Sequence, residues 1–335
     1  MVAGLKGNID LEGVGIAAGD SEGSGPRRPP VGEPKTRRPE MEDWLNARVY
    51  HPLAGRLARL LAATPITPNA VSVAGGAFIV AAALLYTEVR PAALAVVLGF
   101  TAHALWHVFD GADGDLARLT GKTSPVGEMV DGACDYLGHI ILYVFLAAFL
   151  DDWIGGWAWL VAALAGASRV AQSNHAESRR RTYLWRVYDV PWLKHSYETD
   201  REGPDSEGLG RRTWFLLLIE PLARLYVAAA SAGGARSERI DALLERARRA
   251  PAARDRSRRV CKEESRLPLR LQTILGPNLR TVALGLSMAA GSPLWFFLLE
   301  LVPFNLLMAW SILAQRRAER RIIERLEGNA AILGG

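Results

Sequence analysis

The chain has 335 residues, half of them hydrophobic, and it carries a formal net charge of +5 at pH 7. Its long apolar runs alternate with stretches dense in Arg, Asp and Glu, which is typical of a protein that crosses a membrane several times. Because the basic clusters flank these runs and no aromatic-interleaved basic patch is present, they favour lipid headgroups as partners and exclude nucleic acid. Cys134 and Cys261 form no disulfide or metal-binding pattern, so we expect two free thiols.

The N-terminal part of the chain divides into a tail and a helix. Residues 1–40 are rich in Gly, Pro and charged residues and contain no apolar core of a signal peptide, which predicts a disordered tail. In residues 41–63, large apolar side chains recur at helical spacing, with Arg48, Arg56 and Arg59 between them. This pattern predicts an amphipathic helix that lies on the membrane surface.

Apolar runs then predict the membrane-spanning part. Residues 64–173 contain four runs, at 70–87, 92–109, 126–150 and 153–170, and residues 272–325 contain two more, divided at Gly291, before a basic end. Thr67 can cap the first of these helices, and Pro68 is tolerated in its first turn. Residues 326–335 form a short tail.

Between the two groups of runs, residues 174–271 are mostly polar and predict a cytoplasmic insert. Within it, residues 214–232 are apolar but contain Glu220 and Arg224, which favours an interfacial helix over a crossing. Arg and Lys concentrate on one side of the predicted helices, so both termini and the insert are expected in the cytoplasm. The predicted fold is all-α, a polytopic membrane bundle of about six transmembrane helices with an N-terminal amphipathic surface helix.

Four acidic residues interrupt the second and third runs. Asp110 and Asp113 are three residues apart on one predicted helix, and Asp131 and Asp135 are four residues apart on the next. Acids inside a membrane are costly and usually face a functional cavity. Each pair of acids forms an acidic stripe along its helix. If the two stripes face one another, their carboxylate oxygens suit Mg²⁺ or Mn²⁺, and two such ions could bridge a pyrophosphate. The alternative is that the acids pair with Arg for helix packing.

Small and basic residues accompany the acids. Gly114 and Gly127 leave room for a ligand to approach the backbone, and Arg118 could grip a phosphate. Asp115 falls off the acidic stripe, and we expect a solvated loop residue there.

These residues resemble the signature of the CDP-alcohol phosphatidyltransferase family, D-x2-D-G-x2-A-R-x8-G-x3-D-x3-D. The chain matches it without a gap at eight fixed positions, which are Asp110, Asp113, Gly114, Ala117, Arg118, Gly127, Asp131 and Asp135. The start of the first apolar run and the six-helix layout also look like this family. The resemblance covers residues 41–180 well and 272–325 by topology only.

The resemblance implies a role for each position. Asp110, Asp113 and Asp131 would bind the metal, and Asp135 would both complete the metal site and take the proton from the attacking hydroxyl. The CMP part of the donor would be held by Gly114, Ala117, Arg118 and Gly127. It also implies a CDP-linked donor, an alcohol acceptor and a lipid bilayer as partners, with a homodimer left open.

The substrates stay open at this point. The first hypothesis is a phospholipid synthase that uses CDP-diacylglycerol, placed in a bacterial inner membrane with its active site facing the cytoplasm. The second is a transferase that moves a CDP-linked polar headgroup to a lipid or soluble alcohol. The third is a non-catalytic membrane scaffold, against which the four intact acids argue.

The sequence leaves two possible roles open for each of several basic residues. Arg169 and Arg280 either bind the acceptor or anchor helix ends by the positive-inside rule. His139 either lines the acceptor pocket or, more simply, forms a hydrogen bond within its helix. His103 and His107 have a spacing that can bind zinc, but no third ligand is evident, so core or interface histidines are the default expectation.

Overall fold

The computed structural model describes residues 39–190, 234–248 and 250–333, and within these ranges the chain forms helices and no strand. Apart from residues 39–40, the predicted disordered tail of residues 1–40 lies outside these ranges, as does the predicted interfacial helix at residues 214–232. A short turn at Pro39–Met41 and a π-helical turn at Asn46–Tyr50 precede the first long helix.

The described α-helices are α1 (His51–Ala62), α2 (Pro68–Glu88), α3 (Ala92–Leu119), α4 (Pro125–Ile154), α5 (Trp157–Tyr188), α6 (Gly234–Ala247), α7 (Pro251–Glu264), α8 (Arg266–Ile274), α9 (Pro277–Ala289), α10 (Leu294–Leu301) and α11 (Pro303–Leu333). The predicted cap of α2 is confirmed, because the Thr67 side chain accepts a hydrogen bond from the Ala70 backbone N–H. The segment predicted as a C-terminal tail, residues 326–335, is helical as far as Leu333.

Four stretches of the described chain are long and apolar enough to cross a membrane, namely Pro68–Glu88, Ala92–Leu119, Val126–Ile154 and Leu294–Gly328. The all-α polytopic membrane fold is therefore confirmed. The predicted fourth crossing lies on α5 and the predicted fifth on α9, and neither helix meets the same criterion. Because α9 has 13 residues, it extends only about 20 Å, less than the hydrocarbon core of about 30 Å. The count of six crossings stays a prediction.

The membrane part of the molecule is packed around α2. Two adjacent glycines let both neighbouring helices come close to it. A Cβ on Gly75 would lie 3.5 Å from the Cβ of Phe109 on α3, and one on Gly76 would lie 3.2 Å from the Cβ of Cys134 on α4. This close approach to both sides of α2 brings α3 and α4, the helices that carry the acids, together.

The helix α1 packs on α3 through its small residues. Ala54 and Ala58 are fully buried, whereas Leu60 is 71% exposed and Leu53 is 42% exposed. Small buried residues on one face and large exposed apolar residues on the other are the arrangement expected of a helix on a membrane surface.

A second apolar core lies outside the membrane-spanning helices. It joins the end of α5 to α6, α7, α8 and the basic end of α11, and its buried members include Tyr183, Ile240, Cys261 and Ile322. The described parts of the predicted insert at residues 174–271 therefore fold against the C-terminal helix. Burial raises the pKa of the Cys261 thiol to about 11, and both cysteines are free, as predicted.

Candidate functional site

The acidic residues of α3 and α4 meet beside α2. One carboxylate oxygen from each of Asp110, Asp131 and Asp135 lies within 4.8 Å of the other two. The carboxyl groups of Asp110 and Asp135 are in hydrogen-bonding contact. The two acidic stripes were predicted to converge, and three of their four residues do form a single group.

The fourth acid, Asp113, lies next to this group and is oriented by neutral donors. Its side chain is 5% exposed, and it accepts hydrogen bonds from the Ser72 hydroxyl at 2.5 Å and from the Gly114 backbone N–H. Its carboxyl group also contacts that of Asp131. Ser72 comes from α2, so all three helices contribute to the position of the acids.

The donor set fits a hard divalent cation. Carboxylates this close repel one another unless protons or a cation neutralise them. Oxygen-only ligands select Mg²⁺ or Mn²⁺ over softer metals. Asp110 lies next to Asp135, and Asp113 lies next to Asp131, so the four acids form two pairs. Four carboxylates can bind either one ion or two.

Sequence reasoning did not identify Trp106, which contacts the acid cluster directly. Its indole Nε1–H donates a hydrogen bond of 2.6 Å to Oδ1 of Asp135. The side chain is 3% exposed and lies on α3 one turn before Asp110. A tryptophan in an apolar run reads as an ordinary core residue, and only its partner 29 positions away reveals the contact.

The residues predicted to hold the nucleotide lie at the same end of α3 and α4. Arg118 forms an ion pair of 2.5 Å with Asp115, whose side chain is buried. The expectation of a solvated Asp115 is wrong, because α1 packs over this part of α3. Gly114 leaves space for the guanidinium, since a Cβ there would come within 3.3 Å of Arg118 Nη1. The backbone N–H of Gly127 bonds to the Ser124 hydroxyl.

Nucleotide binding by Ala117 and the other residues predicted for it stays a prediction. Ala117 is partly exposed, and its carbonyl accepts a hydrogen bond from the Lys122 backbone at the end of α3. A Cβ on Gly127 would meet the Ser124 hydroxyl at 3.2 Å and the Asn69 side-chain oxygen at 3.5 Å. The start of α4 and the start of α2 thus lie next to each other at Gly127.

A cavity of about 680 Å³ opens beside the acid cluster. Asp110, Asp135 and Trp106 line one end of it. From there it continues between α4 and α5 along apolar side chains, among them Ile140 and Val144, which are 58% and 46% exposed. The cavity therefore joins a charged end to an apolar strip.

Segments outside the membrane bundle close the other side of the cavity. Met41, Asp43 and Gln272 line it, and the Asp43 carboxylate accepts a hydrogen bond of 2.6 Å from the Asn278 side chain at the start of α9. Glu177 of α5 also lines it. Burial would raise the pKa of Glu177, but the guanidinium groups of Arg180 and Arg181 outweigh burial and lower the pKa to about 2.

The two arginines predicted for the acceptor occupy different places. Arg169 is 13% exposed and lines the cavity, with its guanidinium 3.8 Å from Glu300. Arg280 is 1% exposed, and its guanidinium bonds to Glu300 at 2.8 Å and to Gln172 at 2.6 Å. The structure thus brings Arg169 to the cavity and leaves Arg280 behind its wall. There Arg280 supports the same network that holds Arg169.

The histidines belong to a buried aromatic layer around Trp106. His139 lines the cavity, and its Nδ1 lies 2.7 Å from the Asp135 carbonyl oxygen. The predicted hydrogen bond within its helix is therefore confirmed, and a role toward an acceptor stays a prediction. Nε2 of His107 lies 2.8 Å from the Thr281 hydroxyl. His103 is 2% exposed and has no hydrogen-bond partner among the described residues. His103 and His107 thus lie in the core, as the default expectation held.

Residues 65–183 match the family model for CDP-alcohol phosphatidyltransferases. No curated protein matches the chain. The matched segment runs from the loop before α2 to the last turns of α5, so it contains all four acids and the rest of the signature. The members of this family are transferases that move a substituted phosphate group from a CDP-alcohol. Over residues 65–183 the chain is therefore similar to the CDP-alcohol phosphatidyltransferase family.

Proposed function

We propose that this protein transfers a phosphatidyl group from CDP-diacylglycerol to the hydroxyl of a polar alcohol, with release of CMP, in phospholipid synthesis. The observation that carries the proposal is the cavity that joins Asp110 and Asp135 to the apolar strip between α4 and α5. A donor with a charged pyrophosphate and long acyl chains needs both surfaces side by side. The position inside a membrane bundle supports a substrate that arrives from the bilayer.

The reaction assigns a separate task to Asp135. The acceptor oxygen bonds to the phosphorus that carries the diacylglycerol, the bond from that phosphorus to the CMP oxygen breaks, and the acceptor proton moves to Asp135. An alcohol is a poor nucleophile at neutral pH, so a carboxylate placed to take this proton speeds the attack. Asp135 suits this task because it lies at the cavity wall while also contacting Asp110.

The remaining acids would hold the metal. Asp110, Asp113 and Asp131, together with Asp135, would bind Mg²⁺ or Mn²⁺, which when bound neutralises the pyrophosphate and the departing CMP. Ser72 and the Gly114 N–H hold Asp113 in place for this task. The cytidine and its phosphate would lie at Gly114, Ala117, Arg118 and Gly127.

The charge of Arg169 favours an acceptor with an anionic group. Arg169 and Arg280 share a single carboxylate, that of Glu300, so the three side chains carry one excess positive charge. Arg169 presents this charge to the cavity, where a phosphate or carboxylate on the acceptor would balance it. Arg280 acts through Glu300 and does not itself reach the acceptor.

The second candidate, a transferase for a CDP-linked polar headgroup, draws support from the same apolar strip, which could hold the chains of a lipid acceptor. Radiolabelled CDP-diacylglycerol and CDP-headgroup donors, given in turn to the purified protein with Mg²⁺, separate the two. Label transfer from CDP-diacylglycerol to a polar alcohol supports our proposal. Transfer only from a CDP-headgroup donor to diacylglycerol replaces it with the second candidate, and no CMP release from either donor favours the non-catalytic scaffold.

We also propose that the active site faces the cytoplasm of a bacterial cell. The Arg-rich helices α6 and α7 and the basic end of α11 pack together in the second apolar core, and Leu269 of this core also lines the cavity. By the positive-inside rule this side is cytoplasmic.

A further inference from the structure

Trp106 forms a hydrogen bond with Asp135, the proposed base, and Trp106 can only be the donor in this bond. The indole nitrogen carries a proton and has no lone pair to accept with, so Trp106 donates and Asp135 Oδ1 accepts at 2.6 Å. The Trp106 side chain is almost completely buried, at 3% exposure, which limits the access of competing water. The contact fixes one oxygen of the Asp135 carboxylate in space.

The surroundings of Trp106 keep its ring from turning. The ring of His107 lies 4.3 Å away, centroid to centroid, and the ring of His139 packs edge-on at 4.6 Å. On the α2 side, a Cβ at Gly75 would be 3.7 Å from Trp106 Cδ1, so the indole lies close to the backbone there. The donor is thus held rigidly by three helices.

Asp135 is held a second time through its backbone. The carbonyl oxygen of Asp135 can only accept, so Nδ1 of His139, 2.7 Å away, carries the proton and donates to it. His139 in turn packs against the Trp106 ring. Trp106 therefore contacts both the side chain of Asp135 and the residue that anchors its backbone.

We propose that Trp106 is a positioning residue that holds the Asp135 carboxylate in one orientation, in which it can receive the acceptor's proton while the neighbouring acids hold the metal. This inference rests on the proposed function. Without the indole N–H, the carboxylate can rotate about its last bond and bind a cation with both oxygens. Turnover then falls, although metal and substrates still bind.

The test compares Trp106→Phe with Trp295→Phe. Trp295 lies on α10, is 61% exposed and does not line the cavity. For Trp106→Phe we expect kcat to fall by about tenfold to a hundredfold, the loss typical of a hydrogen bond to a charged group. The KM values for donor and acceptor should change by less than about threefold, and Trp295→Phe should keep the kcat of the unmodified protein.

The deciding readout is independent of turnover. Mn²⁺ affinity, measured by electron paramagnetic resonance on the full chain in detergent, should be unchanged or tighter in Trp106→Phe, with the same melting temperature. A kcat within about twofold of the unmodified protein overturns the proposal. So does a fall in kcat that is accompanied by weaker Mn²⁺ binding and a lower melting temperature, because that pattern shows a merely structural role.

Asp135→Asn separates this inference from the proposed function. If Asp135→Asn is inactive and Trp106→Phe is normal, only the positioning role of Trp106 is lost. If Asp135→Asn turns over normally, the assignment of the base fails and the positioning role fails with it. The inference stands when Asp135→Asn is inactive and Trp106→Phe loses kcat but retains Mn²⁺.

Discussion

Replacing Glu300 by Gln should destabilise the protein strongly, because it removes the negative charge between the buried Arg280 and the cavity-lining Arg169. Glu300 is fully buried, and its carboxylate lies 2.8 Å from Arg280 and 3.8 Å from Arg169. At an effective dielectric constant of about 20, these pairs are worth about 6 and about 4 kcal/mol before desolvation. Removing the carboxylate also removes the cost of burying it, so we expect a net loss of about 3–5 kcal/mol in the free energy of unfolding.

The measurement is a denaturant titration of the purified protein in detergent micelles, with Glu263→Gln as the matched control. Glu263 also pairs with an arginine, Arg325 at 2.9 Å, but both side chains are about half exposed (50% and 43%). The control should therefore lose less than about 1 kcal/mol. A loss below about 1 kcal/mol for Glu300→Gln would show that the buried arginines do not depend on this carboxylate, and the excess-charge reasoning for the acceptor would fail with it.

CMP release should require Mg²⁺ or Mn²⁺ and stop in excess EDTA, and full activity in the chelator would remove the metal from the mechanism. Asp135→Asn should cut turnover by at least about 10²-fold and retain Mg²⁺-dependent donor binding, whereas Asp110→Asn should weaken that binding; equal loss of binding in both would leave one undivided metal site. The pKa of Glu40 is lowered from 4.5 to about 2, because hydrogen bonds from Tyr188 and Lys262 outweigh burial, which would raise it. A carboxyl group with a lowered pKa stabilises the fold above pH 4.5 and loses that contribution as the pH falls toward 2. The difference in melting temperature between the unmodified protein and Glu40→Gln should therefore be constant above pH 4.5 and become smaller below it. A thiol introduced as Arg246→Cys should resist an impermeant reagent added to intact cells, and labelling from outside would reverse the proposed orientation.

The sequence predicted those parts of the site that depend on spacing along one helix. Asp110 and Asp113 are close in sequence, as are Asp131 and Asp135, and helical geometry puts each pair on one face whatever the rest of the chain does. The cap at Thr67 was predictable for the same reason, since a cap is decided within one turn. Local geometry and the family signature therefore located the acids before any long-range contact was known.

The contacts that sequence reasoning missed all join distant positions. Trp106 reaches Asp135 across 29 residues, and Arg280 reaches Gln172 across 108. Asp115 was expected in solvent because only the faces of its own helix were considered, and the packing of α1 on α3 was not. Periodicity gives the direction of a side chain from its own helix but does not say which other helix will cover it.

The cavity is lined both by the segment that matches the family and by segments on either side of it. Asp110, Asp135 and Arg169 come from residues 65–183, the segment that matches the family. Asp43 and Gln272 lie before and after that segment, yet they line the same cavity. In the proposed reaction the acids and a bound metal would carry the phosphate transfer, and all four acids come from the matched segment. The flanking segments add polar groups to the cavity wall, so on this proposal they would help to select the acceptor alcohol.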